Sequence, residues 1–307
     1  MEPIVFVLVA GSAVLHVAWN VLLKTAGEPL RAATVGMSTA ALVIIPAAIV
    51  GWLLIGRPPV PPEAIALGVA SGALEAAYFV FLAAAYRRGD LSVVYPIARG
   101  TAPLLAVAVG IFILGERLGP EGFLGVAFLL VGLLMLQRPW RYFRRSAGGD
   151  GFDPAVGFAL LTGVTIAAYS AVDTVGTRLV EPWFYAGILW ASCVVFLWSW
   201  VLVSGAARRW RADDAAVAAS EDPEARFDAR RASVGGLITL AAYLLILAAF
   251  SVAPLTAVAP LRESAIVIAA AWGTLSLGEG GDRSEAARRI SASVFVVLGA
   301  VLLALDG

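Results

Sequence analysis

Two arginines stand inside otherwise apolar stretches of this chain, and their surroundings repeat. Arg99 lies in YPIARGTAPLLAVAVGIFIL and Arg262 in LRESAIVIAAAWGTLSLGE; 17 residues separate each from the glutamate of a Gly-Glu pair, Glu116 and Glu279. A guanidinium in such a setting suits a substrate carboxylate or phosphate, or a neighbouring acid as a structural bridge. Glu75 and Glu263 are the acids that could bridge to Arg99.

Further polar side chains recur at helical spacing. Ser12, His16, Asn20 and Lys24 are each four residues apart, with Trp19 beside them, and Thr165, Tyr169, Asp173 and Thr177 repeat the device. Such spacing puts each set on one helix face. Ser71, Glu75 and Tyr78 share a face, Tyr95 precedes Arg99 by one turn, Glu263 follows Arg262, and the run 234–250 offers Tyr243. Each strongly polar group costs about 2.5–3.5 kcal/mol at the centre of a membrane span, so these residues should face a cavity or one another. Arg99 and Arg262 would then attract an anionic group, and Trp19, Tyr78, Tyr95, Tyr169 and Tyr243 would line the cavity. Glu75 or Asp173 would carry a proton or engage an amine. A zwitterion such as an amino acid suits that mixture. His16, the single histidine, either titrates near neutrality or serves as hydrogen-bonded scaffold.

Plainer roles fit some of the same residues. Buried Ser, Thr and Tyr often bond between helices. Lys24, Arg117 and Tyr86 near span ends read as interfacial anchors, Glu116 and Glu279 as turn or cap residues, and Gly125 and Gly132 as helix-packing contacts. The sequence lacks HxxxH, HExxH and GxxxxGK[ST] patterns, and its one cysteine, Cys193, lies in an apolar run. No metal, cofactor or nucleotide is therefore expected. The 22 basic and 22 acidic residues cancel, which argues against a nucleic-acid partner.

The elements that must position these residues follow from hydropathy. With 60% hydrophobic residues, 14% charged residues and a mean hydropathy of +0.88, the chain belongs in a lipid bilayer. A span needs roughly 20 apolar residues. That ruler predicts an all-α integral membrane protein with ten transmembrane helices, near 3–23, 32–56, 64–86, 91–114, 121–137, 154–177, 183–204, 234–250, 254–277 and 289–305. Residues 3–23 read as a first span rather than a signal peptide, since the preceding MEP has no basic residue. Residues 1–138 form a first unit of five spans, 139–153 a basic, aromatic and Gly-rich linker, and 154–307 a second unit of five. An odd-numbered unit repeated in tandem inserts in the opposite sense, which gives two inverted repeats. Residues 205–232, rich in Ala, Arg and acids without an apolar stripe, read as a solvated loop rather than a surface helix. Loops on one face hold 17 Lys or Arg and those on the other three, which places both termini outside.

HVAWNVLLK, the run from AAYRRGDLSVVYPIARGTAPLLAV through LGERLGPEGFLGVAFLLVGLL, and AAYSAVDTVG resemble the EamA-type repeats of the drug/metabolite transporter superfamily. The likeness covers almost the whole chain as two tandem repeats and is strongest from Ala84 to Leu136. It implies ten helices in two inverted halves around a shared cavity, and small-molecule transport, often efflux, without ATP-binding machinery. Three features depart from the family pattern. Pro260-Leu261-Arg262 is one residue out of step with Pro96-Ile97-Ala98-Arg99, the turn GEGGDRSE is looser than GERLGP, and the family's termini are commonly cytoplasmic.

The expected function is secondary transport, by alternating access, of a small metabolite, with export of an amino-acid-like or other small charged solute foremost. The protein would be a multi-pass component of the cell membrane, with the bilayer and a small-molecule substrate as its partners. A homodimer is compatible but not required, since each chain holds both halves. Two other classes are an intramembrane enzyme acting on a lipid-linked substrate and a non-transporting receptor or assembly protein. The first lacks a carboxylate near His16 in sequence, and the second has little loop surface for a soluble partner.

Overall fold

Proline opens six of the helices, where its missing N–H costs nothing and its fixed φ suits the first turn. A computed structural model describes residues 2–89, 91–138, 153–220, 227–263 and 283–306. Its helices are α1 (Pro3–Thr25), α2 (Pro29–Leu54), α3 (Pro62–Tyr86), α4 (Leu91–Phe112), α5 (Pro120–Gln137), α6 (Pro154–Gly176), α7 (Pro182–Val203), α8 (Ala206–Ser220), α9 (Ala229–Val252) and α10 (Arg283–Leu305). A further helical run covers 255–263, and no strand occurs among the described residues. Acids finish three starts: Glu28 accepts from Arg31 N at 2.6 Å, Asp153 from Ala155 N at 2.8 Å and Asp228 from Arg231 N at 2.9 Å.

Five helices, α2, α3, α6, α7 and α9, are long and apolar enough to cross a bilayer, and shorter apolar stretches lie in α1, α4, α5 and α10. Large apolar side chains point outward, among them Leu42 (78% exposed), Phe112 (83%) and Val203 (84%). In water such a surface would be costly; against lipid tails it is solvated, and each helix satisfies its own backbone.

Since lipid gives helices little hydrophobic reason to associate, close backbone approach does much of the work. Helix α5 crosses α10 at Gly125 and Gly299. A Cβ on Gly125 would lie 2.8 Å from both Gly299 O and Leu303 N, and one on Gly299 would lie 2.7 Å from Gly125 O and 2.8 Å from Leu129 N. The crossing is thus a local two-fold. Helix α2 also meets α9 at facing glycines, where a side chain on Gly236 would collide with the carbonyl of Gly36. The other closely packed pairs are α3 with α6, α3 with α7, α1 with α9, α4 with α6, and α2 with α7. Exchanging α1 for α6, α2 for α7, α3 for α9 and α5 for α10 returns the same pairs, apart from α4 with α6. The counterpart of that pair falls largely on 264–282, outside the described residues.

Three expectations need correction. Residues 206–220 form helix α8 rather than a loop, because Asp214 makes a two-pronged ion pair with Arg31 of α2, at 2.7 and 2.8 Å, and supplies the tertiary partner that the missing apolar stripe did not. Helix α9 begins at Ala229, five residues before the expected span, because Asp228 caps it. Glu116 caps a distant helix rather than its own turn: its carboxylate accepts from Leu255 N and Thr256 N. Glu279 lies outside the described residues.

Candidate functional site

The polar faces of α1, α3, α6 and α9 converge with the 255–263 run on one small cavity. Ser12, His16 and Trp19 come from α1, Met37 from α2, Glu75, Tyr78 and Phe79 from α3, Tyr169 from α6, Thr239, Ala242 and Tyr243 from α9, and Arg262 from the last run. It encloses about 30 Å³, room for about two water molecules. A second void of about 10 Å³ lies between α4, α6, α9 and the 255–263 run, and Arg262 borders both. The arginine therefore stands as a partition between two spaces.

Charge is arranged around that partition in two nodes. In the first, Arg99 Nη1 donates to Glu263 Oε1 at 2.8 Å, and the guanidinium also makes a short contact with His16 Nε2. Both side chains of the ion pair are about 95% buried. In the second, Asp173, fully buried, accepts from the hydroxyl of Tyr185 at 3.0 Å and from that of Tyr243. Burying an ion without partners costs several kcal/mol, so each carboxylate is held where donors are already in place. Glu75, 6% exposed, faces the cavity itself.

Aromatic rings form the walls. They run in edge-to-face steps from Trp19 to Phe79 (6.5 Å between centroids), Tyr78 (4.9 Å), Tyr169 (6.1 Å), Tyr243 (6.1 Å) and Trp190 (5.6 Å). Such pairs prefer this geometry and add stiffness beyond area burial. The chain of rings passes through α1, α3, α6, α9 and α7, so it ties together helices far apart in sequence. The Arg262 guanidinium lies 5.6 Å from the centre of the Tyr243 ring, within cation–π range. Chemically the site offers a carboxylate, a guanidinium and π faces in a space shielded from lipid. No group of three or more metal-ligating side chains occurs among the described residues.

Of the residues singled out in the sequence, His16, Trp19, Glu75, Tyr78, Tyr169, Tyr243 and Arg262 line the cavity, Arg99 and Glu263 bond beside it, and Asp173 lies behind Tyr243. The side chains of Asn20 and Tyr95 are outside the described residues. Sequence reasoning missed Tyr185 and Trp190 of α7, both fully buried, and the cavity residues Met37, Phe79 and Thr239. Tyr185 had a signal: with Ser192 and Ser199 it recurs every seven residues, a sparse row of hydroxyls along an otherwise apolar helix.

Residues 3–138 match the EamA-like transporter family. Over 70 residues the chain is 39% identical to the spermidine export protein MdtI of Salmonella arizonae and 37% identical to that of Salmonella paratyphi B. Each match covers 23% of this chain and 64% of the relative, so the chain spans less than two thirds of those relatives' length. A chain in a solved crystal structure has the same fold over 99% of this chain and 98% of its own, with a TM-score of 0.65 and 18% identity.

Proposed function

We propose, from the match of residues 3–138 to the EamA-like transporter family and from the apolar helices, that the chain is a multi-pass secondary transporter of the inner membrane, exporting a small charged solute by alternating access. Residues 1–138 and 154–307 act as two inverted five-span repeats joined by 139–153. The exchange of packed helix pairs and the two-fold crossing at Gly125 and Gly299 support this reading. The substrate occupies the cavity bounded by His16, Trp19, Glu75, Tyr78, Tyr169, Tyr243 and Arg262. Its amine meets Glu75 and the ring faces, and any carboxylate meets Arg262. Asp173 holds Tyr185 and Tyr243 in place, while Arg99 and Glu263 brace the wall.

One observation carries the proposal: helices of both halves contribute lining to a single cavity with charges of both signs. A site at the repeat interface becomes accessible from alternate sides when one half rocks against the other. The cavity's small volume fits a closed state between the two openings.

The test is solute flux in proteoliposomes, with amino acids, organic acids, sugars and amines offered together. Spermidine belongs in the set because the partial relatives are named for exporting it. Selective flux is expected, falling at least about tenfold in Glu75→Gln if the carboxylate binds the substrate's amine, as for a lost charged hydrogen bond. Folded protein that moves none of these solutes under an imposed proton or solute gradient would refute the reading.

A further inference from the structure

The carboxylate of Glu116 closes a helix to which it does not belong. Oε1 accepts from Leu255 N at 2.7 Å and Oε2 from Thr256 N at 2.9 Å, across about 140 residues of chain. These are the first amides of the 255–263 run, which would otherwise have no partner within their own helix. A charged acceptor at a helix N-terminus makes strong, charge-assisted bonds and meets the positive end of the helix dipole.

The loop is shaped to deliver that carboxylate. Gly115 turns the chain with φ +67°, and Glu116 N donates to Gly110 O at 2.9 Å. Gly110 leaves room for the contact: a Cβ there would lie 2.5 Å from Thr256 Cγ2 and 2.6 Å from Glu116 Oε2. The turn before the run is also tied from the chain's second half, where Arg178 Nη2 donates to Ala253 O at 3.3 Å.

At the far end of the same run stand Arg262 and Glu263, roughly 10 Å beyond Thr256 at about 1.5 Å per residue. Glu263 receives Arg99, and Arg262 partitions the two voids. A carboxylate in the first half of the chain therefore fixes the axial position of the charged groups that the second half brings to the site.

We propose that Glu116 is a positioning residue and latch: it holds the 255–263 run while the cavity is closed toward the face bearing the N-terminus, and it lets go when that face opens. This rests on the transporter reading. Arg178 sits in the same half as the run and travels with it, so the bond that must break is the one from Glu116.

The experiment measures access to the cavity, independently of flux. In a Cys193→Ala background, a single cysteine replaces Thr239 in the cavity wall, and a membrane-impermeant maleimide is added to one side of sealed vesicles or the other. Glu116→Gln and Glu116→Ala should each raise labelling from the N-terminal face by about tenfold or more, as for a lost pair of charged hydrogen bonds, and lower it from the opposite face. Folded variants with labelling unchanged from either side would overturn the latch. If the variants do not fold, Gly110→Cys with Thr256→Cys serves instead, since those side chains would lie in bonding reach. Oxidation should then abolish labelling from the N-terminal face and reduction restore it, and labelling that persists in the cross-linked protein would overturn the latch. Absence of flux in the unmodified protein counts against the transporter reading alone.

Discussion

Arg99 and Arg262 share one site, yet they are treated in opposite ways. Arg99 is 4% exposed and bonded to Glu263 and His16, a knot in which its charge is consumed by the protein. Arg262 is half-buried and borders both voids, and its described contact is with the Tyr243 ring rather than with a carboxylate. An arginine answered by a buried acid is architecture, because moving it would strand two charges. One that rests on a π face can leave at a cost of about 0.5–2 kcal/mol and is the better candidate to meet a substrate.

The sharpest way to break this contrast is to remove Arg99. Arg99→Ala strands the buried Glu263 carboxylate and should lower stability by about 3–5 kcal/mol, read as a fall in thermal midpoint in nanodiscs. The double variant Arg99→Met, Glu263→Leu should recover most of that loss, since apolar replacements of similar volume need no partner. Wild-type stability in Arg99→Ala would mean the knot is not structural.

A smaller and different effect is expected at Arg262. Arg262→Lys keeps the charge but loses the planar face that stacks on Tyr243, so apparent KM for transport should rise about tenfold while stability changes by less than about 1 kcal/mol. A stability loss matching that of Arg99→Ala would erase the difference between the two sites.

That difference was only half legible in the sequence. The apolar lengths announced helices, and the stripe Thr165, Tyr169, Asp173 and Thr177 announced a buried face, because spacing alone sets which residues share a side. The two arginines, by contrast, look like equivalents at equal distances from Glu116 and Glu279. Their divergence depends on Glu263, which sits beside Arg262 in sequence but turns to Arg99, 164 residues away. Tyr185 and Trp190 escaped notice because the hydroxyls of α7, on Tyr185, Ser192 and Ser199, are seven residues apart and make too sparse a row to read as a polar stripe. The partners of Glu116 were illegible for a similar reason, since the amides it meets belong to backbone and carry no side-chain signal. Helix α8 needed Arg31 to explain it, a residue in another part of the chain.

Arg31 extends the comparison to a third setting, where the ion pair faces water. Its guanidinium meets both oxygens of Asp214 and lies 4.2 Å from the centre of the Phe227 ring, with the Asp214 side chain 50% exposed. The hydrogen bonds from Arg31 hold the Asp214 carboxyl below its ordinary value of 3.8. A lowered native value means that the folded form binds fewer protons than the unfolded one. The tie is therefore fully present above the ordinary value and is lost as pH falls through the lowered one. Hydrogen exchange of α8, corrected for intrinsic rates, should stay constant from about pH 7 to 5 and lose protection below about pH 4, near the ordinary aspartate range. Asp214→Asn should show the reduced protection already at neutral pH, and added salt should weaken the wild-type tie, as solvent-exposed pairs are screened. The change should remain local to α8 and leave transport intact. If it instead altered flux as strongly as the loss of Arg262, surface and cavity arginines would have to be treated as one coupled system rather than as three settings of the same chemistry.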